Sequence, residues 1–265
     1  MLDLLLARWK QGSRTMRYPD GPPPELPDRF AGRPAIEPAR CEPSCRKCSE
    51  ACPTSAIACD AAQHTLQLDL GRCLFCRDCE AACPSGAIAF TREYRLAASA
   101  RDDLLVRDSA APAAVALDAA SRRLFGRSLK LRQVCAGGCN ACEADTNVLG
   151  TVAWDLGRFG IQFVASPRHA DGLLITGPVT RNMQLALQKT YDAVPWPKLV
   201  VAVGACAISG GPYIDHPEVG NGAASQVPVD LFIPGCPPHP LTILEGLLAL
   251  LGRVERNRPS DPAHV

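Results

Sequence analysis

Most of this chain's fourteen cysteines stand in tight clusters, and their spacing is the first sign of chemistry. Cys45, Cys48 and Cys52 are followed by Pro53. Cys73, Cys76, Cys79 and Cys83 are followed by Pro84, and Cys139 and Cys142 form a further C-x2-C pair. Cys206 (VGACAISGG) and Cys236 (PGCPPHP) stand alone, each just after a strongly apolar run. Closely spaced thiolates are ligands for soft metals. A C-x2-C-x2-C-x3-C-P run lets one loop wrap an iron–sulfur cubane while its N–H groups point at the sulfurs. Cys73 to Pro84 meets that spacing in full. The upstream run departs from it, with three residues rather than two between Cys41 and Cys45.

The two runs belong to an internal repeat: CRKCSEACPTSAIA at 45–58 matches CRDCEAACPSGAIA at 76–89. In two-cluster ferredoxins the fourth cysteine of each run binds the other cluster. That assigns Cys73, Cys76, Cys79 and Cys52 to one 4Fe–4S cluster, and Cys45, Cys48 and Cys83 to another, with Cys41 as the favoured remaining ligand. The alternative at Cys41 is a three-iron or unstable cluster. Cys59 aligns with Phe90 and reads as a small core residue. A zinc site is the competing reading of any C-x2-C pair, but the repeated run with its shared PxxAI tail favours iron and sulfide.

The elements that must position the remaining cysteines lie downstream. From Ser128 the pattern alternates apolar strands with helices, which predicts a parallel α/β sheet. Strands are expected at Leu129–Val134 (an edge strand), Ile161–Ala165, Gly172–Thr176, Lys198–Val203 (central) and Val229–Ile233. Helices are expected at Thr146–Leu156, Arg181–Ala193 and Pro240–Arg253. Sites in such sheets form beyond the carboxyl ends of the strands. Cys139 and Cys142, Cys206 and Cys236 all follow strand ends, so these four are predicted to converge on one cluster, with Gly177–Thr180 lining the same pocket. Cys135 falls outside the pair: a non-ligand near the cluster, against a substitute ligand or a redox-active thiol. Glu143 either favours a helix N-terminus or handles protons. His216 and His239 read as polar loop residues.

The organisation predicted is an extension (1–40), a ferredoxin-type α+β unit (41–95), a linker with helical pieces (96–127), the α/β unit (128–255) and a tail (256–265). Residues 2–10 suggest an amphipathic helix, a cap or a docking element for a partner or membrane surface. The Pro-rich stretch 18–40 reads as irregular, suited to lying on another subunit. With 28 basic and 27 acidic residues and no block of like charge, nucleic acid is not expected as a partner. No secretory signal is apparent, which favours reduced thiols over disulfides. No apolar run reaches spanning length; Leu241–Leu251 is short and interrupted by Glu245. No Ser/His/Asp or paired-carboxylate arrangement suggests a self-contained active site, and no catalytic residue is assigned.

These residues resemble known families. Residues 128–253 resemble the small, cluster-bearing subunit shared by nickel–iron hydrogenases and respiratory complex I (the NADH-quinone oxidoreductase). The match runs through SLKLRQV, GCNACE, TGPVTRNM, VGACAISGG and PGCPPHPLTILEGLLALLGR. Residues 14–95 resemble the two-cluster ferredoxin subunit of the same complexes, through TMRYP, the cysteine runs and EYRLAA. The chain thus resembles a fusion of the two. The complex I subunit is marked by two adjacent cysteines at the first ligand position, whereas Cys139-Asn140-Ala141-Cys142 has the hydrogenase-side spacing. PGCPPHP with its apolar helix is similar to the membrane-bound, energy-converting hydrogenases, including formate hydrogenlyase. The resemblance implies an electron-transfer subunit whose cluster at Cys139, Cys142, Cys206 and Cys236 lies beside the active site of a separate nickel–iron large subunit. It implies a place on the cytoplasmic side of the inner membrane, held by other subunits. The alternatives are the equivalent subunit of a complex I-like quinone reductase and, in another class, a zinc-stabilised scaffold or regulatory module.

Three 4Fe–4S clusters correspond to about twelve irons per chain. Iron and acid-labile sulfide assays on anaerobically purified protein are expected to give that number, and a colourless protein carrying zinc would overturn the iron–sulfur reading.

Overall fold

The computed structural model describes residues 2–42, 45–60, 65–107 and 116–254. Helix α1 (Leu2–Gln11) has no buried residue. The Pro-rich stretch after it is tied to its own chain at several points. Arg158 donates to the carbonyls of Met16 (2.5 Å) and Tyr18 (2.6 Å), Arg92 donates to that of Leu26, and Tyr18 and Leu26 are buried. It also contains a strand, β1 (Pro34–Ile36).

Each half of the cysteine repeat supplies one short helix and one strand. The first gives α2 (Lys47–Glu50) and β2 (Ile57–Asp60), and β3 (Thr65–Asp69) follows. The second gives α3 (Asp78–Ala82) and β4 (Ile88–Phe90). β4 pairs antiparallel with β1, and β2 with β3. The expected linker is partly sheet: β5 (Leu105–Val106) adds a third strand beside β3. Helix α4 (Ala119–Phe125) starts one residue after Asp118, whose carboxylate accepts from the N–H groups of Ala120 and Ser121, as an N-cap residue does.

The α/β part is a five-stranded parallel sheet flanked by helices. Its strands are β6 (Leu129–Cys135), β7 (Ile161–Phe163), β8 (Gly172–Thr176), β9 (Leu199–Val203) and β10 (Leu231–Ile233), in the order β10-β9-β8-β6-β7. β6 is therefore internal rather than an edge strand, because β7 crosses to its outer side. Alternate residues serve the two faces: Leu173 and Ile175 join one buried cluster and Leu174 the other, as the two-residue period of a strand requires. The helices are α5 (Ala141–Val148), α6 (Arg181–Ala193), α7 (Ala205–Ser209) and α8 (Pro240–Leu250). The helix expected over 146–156 begins earlier, at the cysteine pair, and stops at Val148. Among the described residues no helix is long and apolar enough to cross a membrane. Every residue of α8 is nevertheless buried, because Tyr18, Leu26 and Ala97 from the other part of the chain join the cluster around it.

The two parts share one core. Ile36, Leu66 and Leu68 of the first belong to the same cluster as Val134, Ile208 and Phe232 of the second. Ala98 and Phe232 exchange backbone hydrogen bonds at 2.9 and 2.8 Å, and the Ser209 hydroxyl donates to the Gly71 carbonyl at 2.8 Å.

Leu174 is fully buried against the α8 side of the sheet. Leu174→Ala is expected to cost about 2–5 kcal/mol, read as a lowered denaturation midpoint under anaerobic conditions.

Candidate iron–sulfur sites

The register of the parallel sheet sets the geometry. Cys135 is level with Thr176, Thr176 with Val203, and Val203 with Ile233. The segments bearing Cys139, Cys142, Cys206 and Cys236 therefore leave the sheet at one edge. They are tied together there: Ala136 N–H donates to Thr176 O (2.8 Å), Gly204 N–H to Ile233 O (2.8 Å) and Ala205 N–H to Gly235 O (2.8 Å). Asn140 takes a left-handed conformation (φ 71°) between the paired cysteines, and α5 starts at the next residue. Arg77 does the same (φ 68°) between Cys76 and Cys79, so both C-x2-C pairs enter a helix the same way. Gly204 (φ +91°) has no substitute here, because a Cβ on it would lie 2.5 Å from the Cys142 sulfur.

The four sulfurs are close enough to affect one another. Burial pushes the Cys142 thiol well above the ordinary thiol value, with Cys206, Cys236 and Cys139 adding to the effect. Burial pushes Cys206 up to about 11, helped by Cys236 and Cys139. Two further groups form in the repeat. Cys73 is pushed by burial to about 12 and feels Cys79, Cys52 and Cys76; Cys79 is pushed by burial to about 11 and feels Cys52 and Cys76. Cys41, raised by desolvation, feels Cys59, Cys45 and Cys83. Cys48 is pushed by burial to about 12 and feels Cys59 and Cys83. The charges of Cys139, Cys206 and Cys236 thus act on Cys142, those of Cys52, Cys76 and Cys79 on Cys73, and that of Cys83 on both Cys41 and Cys48. Cys59, which alignment of the repeat reads as core, acts on Cys41 and Cys48 as well. Residues 43 and 44, inside the unusual Cys41–Cys45 spacing, lie outside the described residues.

The donor set fits iron–sulfur clusters. All fourteen cysteines are free thiols. Several sulfurs already accept backbone hydrogen bonds: Ala56 N–H to Cys52 and Ala87 N–H to Cys83 at 3.2 Å each, and Phe75 N–H to Cys73 at 3.3 Å. Burial alone would raise the Cys83 thiol, but hydrogen bonds from Ser85 and the Ala87 and Ile88 amides outweigh it and hold it below the ordinary value. Cys52, Cys73, Cys76 and Cys79 line one small pocket together with Ile57, Leu68 and Phe90. Among the described residues no three His, Cys, Asp or Glu side chains converge as they would on a single metal ion. A cubane has no need of such convergence, since its thiolates bind separate irons. Buried thiols must lose their protons to become ligands, so loading these sites releases protons.

Other residues singled out in the sequence have defined surroundings. Glu143 is buried and accepts a 2.5 Å hydrogen bond from the Thr176 hydroxyl; it is pinned to β8 as well as sitting in the first turn of α5. No local pattern signals the Thr176 contact, which depends on β6 and β8 lying side by side. Cys135 ends β6 at the lining of an open cleft with Asn140, Glu143 and Met183. His239 caps α8, its Nδ1 accepting from Leu241 N–H at 3.1 Å, and its ring meets Phe30 and Trp154 edge-on. Burial lowers its pKa. His216 Nδ1 accepts from Glu218 N–H. Thr180 is tied to the loop after β6, donating its N–H to Ala136 O at 3.0 Å.

A carboxylate shapes the loop before Cys73. Asp69 accepts from Gly71 N–H (2.8 Å) and Arg101 (2.6 Å), while its carbonyl accepts from Cys73 N–H (3.0 Å).

Both parts of the chain are similar to known proteins. The family described as NADH ubiquinone oxidoreductase, 20 Kd subunit, matches residues 139–250, and the 4Fe-4S dicluster domain matches residues 39–87. A probable membrane-bound hydrogenase subunit of Pyrococcus furiosus is 39% identical over 134 residues, 51% of this chain and 80% of that protein. An NADH-quinone oxidoreductase subunit of Clostridium beijerinckii is 42% identical over 118 residues, 44% of this chain and 70% of that protein. Formate hydrogenlyase subunit 7 of Escherichia coli is 44% identical over 130 residues, 49% of this chain and 51% of its own length.

Asp69→Ala removes hydrogen bonds to a charged group, each worth about 1.5–3 kcal/mol. The variant is expected to bind less iron at the Cys73 group, seen as a loss approaching four irons with the other eight retained.

Proposed function

The chain belongs to the family of the NADH ubiquinone oxidoreductase 20 Kd subunit, carried here together with a 4Fe–4S dicluster domain, and from that premise we propose that it relays electrons between a ferredoxin pair of clusters and the large subunit of a group 4-like nickel–iron hydrogenase. That it is an iron–sulfur subunit of an oxidoreductase complex follows from the family. The finer reading has three parts. Cys41, Cys45, Cys48 and Cys83 hold the first cluster, Cys73, Cys76, Cys79 and Cys52 the second, and Cys139, Cys142, Cys206 and Cys236 the third. Residues 41–95 and 128–255 are the two functional units, and the hydrogenase active site lies in the partner. When bound, such clusters supply one-electron redox chemistry over roughly −700 to +450 mV.

The observation that carries the relay is the apposition of Cys76 and Cys236. Cys236 is raised first by desolvation, then by the charges of Cys139 and Cys76. Leu74 and Phe75, just before Cys76, line the same pocket as Cys236 and His239. The second group of thiols therefore adjoins the third, and the order of relay is the Cys41 group, the Cys73 group, the Cys139 group. The Ser209–Gly71 hydrogen bond holds that seam from both sides: Gly71 leads into Cys73, and Ser209 shares α7 with Cys206. The hydrogenase assignment rests on the Cys139–Cys142 spacing and on the named relatives. A place on the cytoplasmic face of a membrane complex comes with it.

The second reading, the equivalent subunit of a complex I-like quinone oxidoreductase, is favoured by the similarity to the Clostridium beijerinckii protein. Hydrogen-dependent dye reduction by the purified complex, together with two C-x2-C pairs in its large subunit, separates the two; absence of both removes the hydrogenase reading. For the relay itself, EPR of the fully reduced chain is expected to show magnetic interaction between the second and third clusters. Cys236→Ala is expected to abolish the interaction and leave the signal of the first cluster unchanged. Three signals without interaction would overturn the proposed order.

A further inference from the structure

Cys59 is a fifth thiol at a site that uses four. Its sulfur lies 4.0 Å from that of Cys48, at the separation of a sulfur–sulfur hydrogen bond. It sits on β2, in register with Leu66 of β3, so a strand pairing fixes its position independently of the cysteine loop. Cys48 is buried and Cys59 half-buried. With Cys48 bound as a thiolate, it has no proton to give, so the direction of the bond is set: the Cys59 S–H donates and the Cys48 sulfur accepts.

The internal repeat shows what this replaces. Cys59 of the first half corresponds to Phe90 of the second. Phe90 lines the space enclosed by Cys52, Cys73, Cys76 and Cys79, and packs edge-on against Phe75 with ring centroids 6.2 Å apart. One cluster site thus has an apolar ring where the other has a thiol donor. Hydrogen bonds to cluster sulfurs are among the factors that set reduction potential. A donor stabilises the reduced form, which carries the extra negative charge.

We infer that Cys59 is a positioning residue that donates a hydrogen bond to the Cys48 ligand and raises the reduction potential of the first cluster. The inference rests on the ligand assignment proposed above. It gives the two halves of a duplicated unit different potentials from nearly identical ligand loops.

The test is an EPR-monitored redox titration of the full chain with its clusters, alongside iron analysis. If the wild-type chain lacks two ferredoxin-type signals, the ligand assignment fails, independently of Cys59. If it has them, Cys59→Ala is expected to keep its iron and to move one midpoint to more negative potential, that of the signal altered by Cys41→Ser. At a fixed potential the reduced-to-oxidised ratio of that cluster should fall about threefold to tenfold, tenfold being ~59 mV for a one-electron couple. Cys59→Ser keeps a donor and is expected to shift less than Cys59→Ala. An unchanged midpoint in Cys59→Ala, equal shifts in the two variants, or loss of iron from either variant overturns the inference; the last outcome would make Cys59 a ligand.

Discussion

The level alignment of four strand ends is the constraint on which the rest depends. β8 lies between β6 and β9, and Thr176 marks its end beside Cys135 on one side and Val203 on the other. Parallel strands are joined by crossovers, so successive carboxyl ends reach the same edge. Three loops distant in sequence thereby meet without any of them needing a long excursion. The hydroxyl of Thr176 adds a second hold, donating to Glu143 in the first turn of α5. The helix that presents Cys142 is thus fixed by the same strand that sets the level of the site.

Close approach follows from that alignment and limits which residues are allowed. The turn after β9 passes so near Cys142 that Gly204 leaves no room for a side chain. Burial of the sulfurs has an energetic consequence: unligated thiolates are costly there, as the raised values of Cys73, Cys142 and Cys206 reflect. Bound iron offsets that cost, so cluster binding and the stability of the folded chain are coupled.

The duplicated unit is symmetric in its ligand loops and asymmetric in its surroundings. Ala56 and Ala87 donate to Cys52 and Cys83 at the same 3.2 Å, while β2 pairs with β3 and β4 pairs with the N-terminal strand β1. The N-terminal stretch has a further use: with Ala97 it closes over α8, which explains how a helix buried along its whole length remains inside a chain with no spanning segment among its described residues.

Much of this is legible in the sequence because the determinants are local. Cysteine spacing, the internal repeat and apolar runs alternating with helical stretches carry the ferredoxin unit and the parallel sheet. The start of α5 is not legible, because a polar stretch, Glu143 to Asn147, hides a helix that begins at the ligand motif itself. Nor is the internal place of β6, because strand order is set by crossovers, which leave no mark in strand composition. Cys59 reads as core because alignment with Phe90 reports its place in the repeat, not its distance from Cys48. By itself the sequence determined which residues have ligand chemistry and which elements carry them. Tertiary structure decided the contacts made across the sheet and across the seam: Thr176 on Glu143, Ser209 on Gly71, Cys76 beside Cys236, Cys59 on Cys48. Those depend on how separate elements pack in space, and nothing local in the chain encodes a distance between residues that only folding brings together.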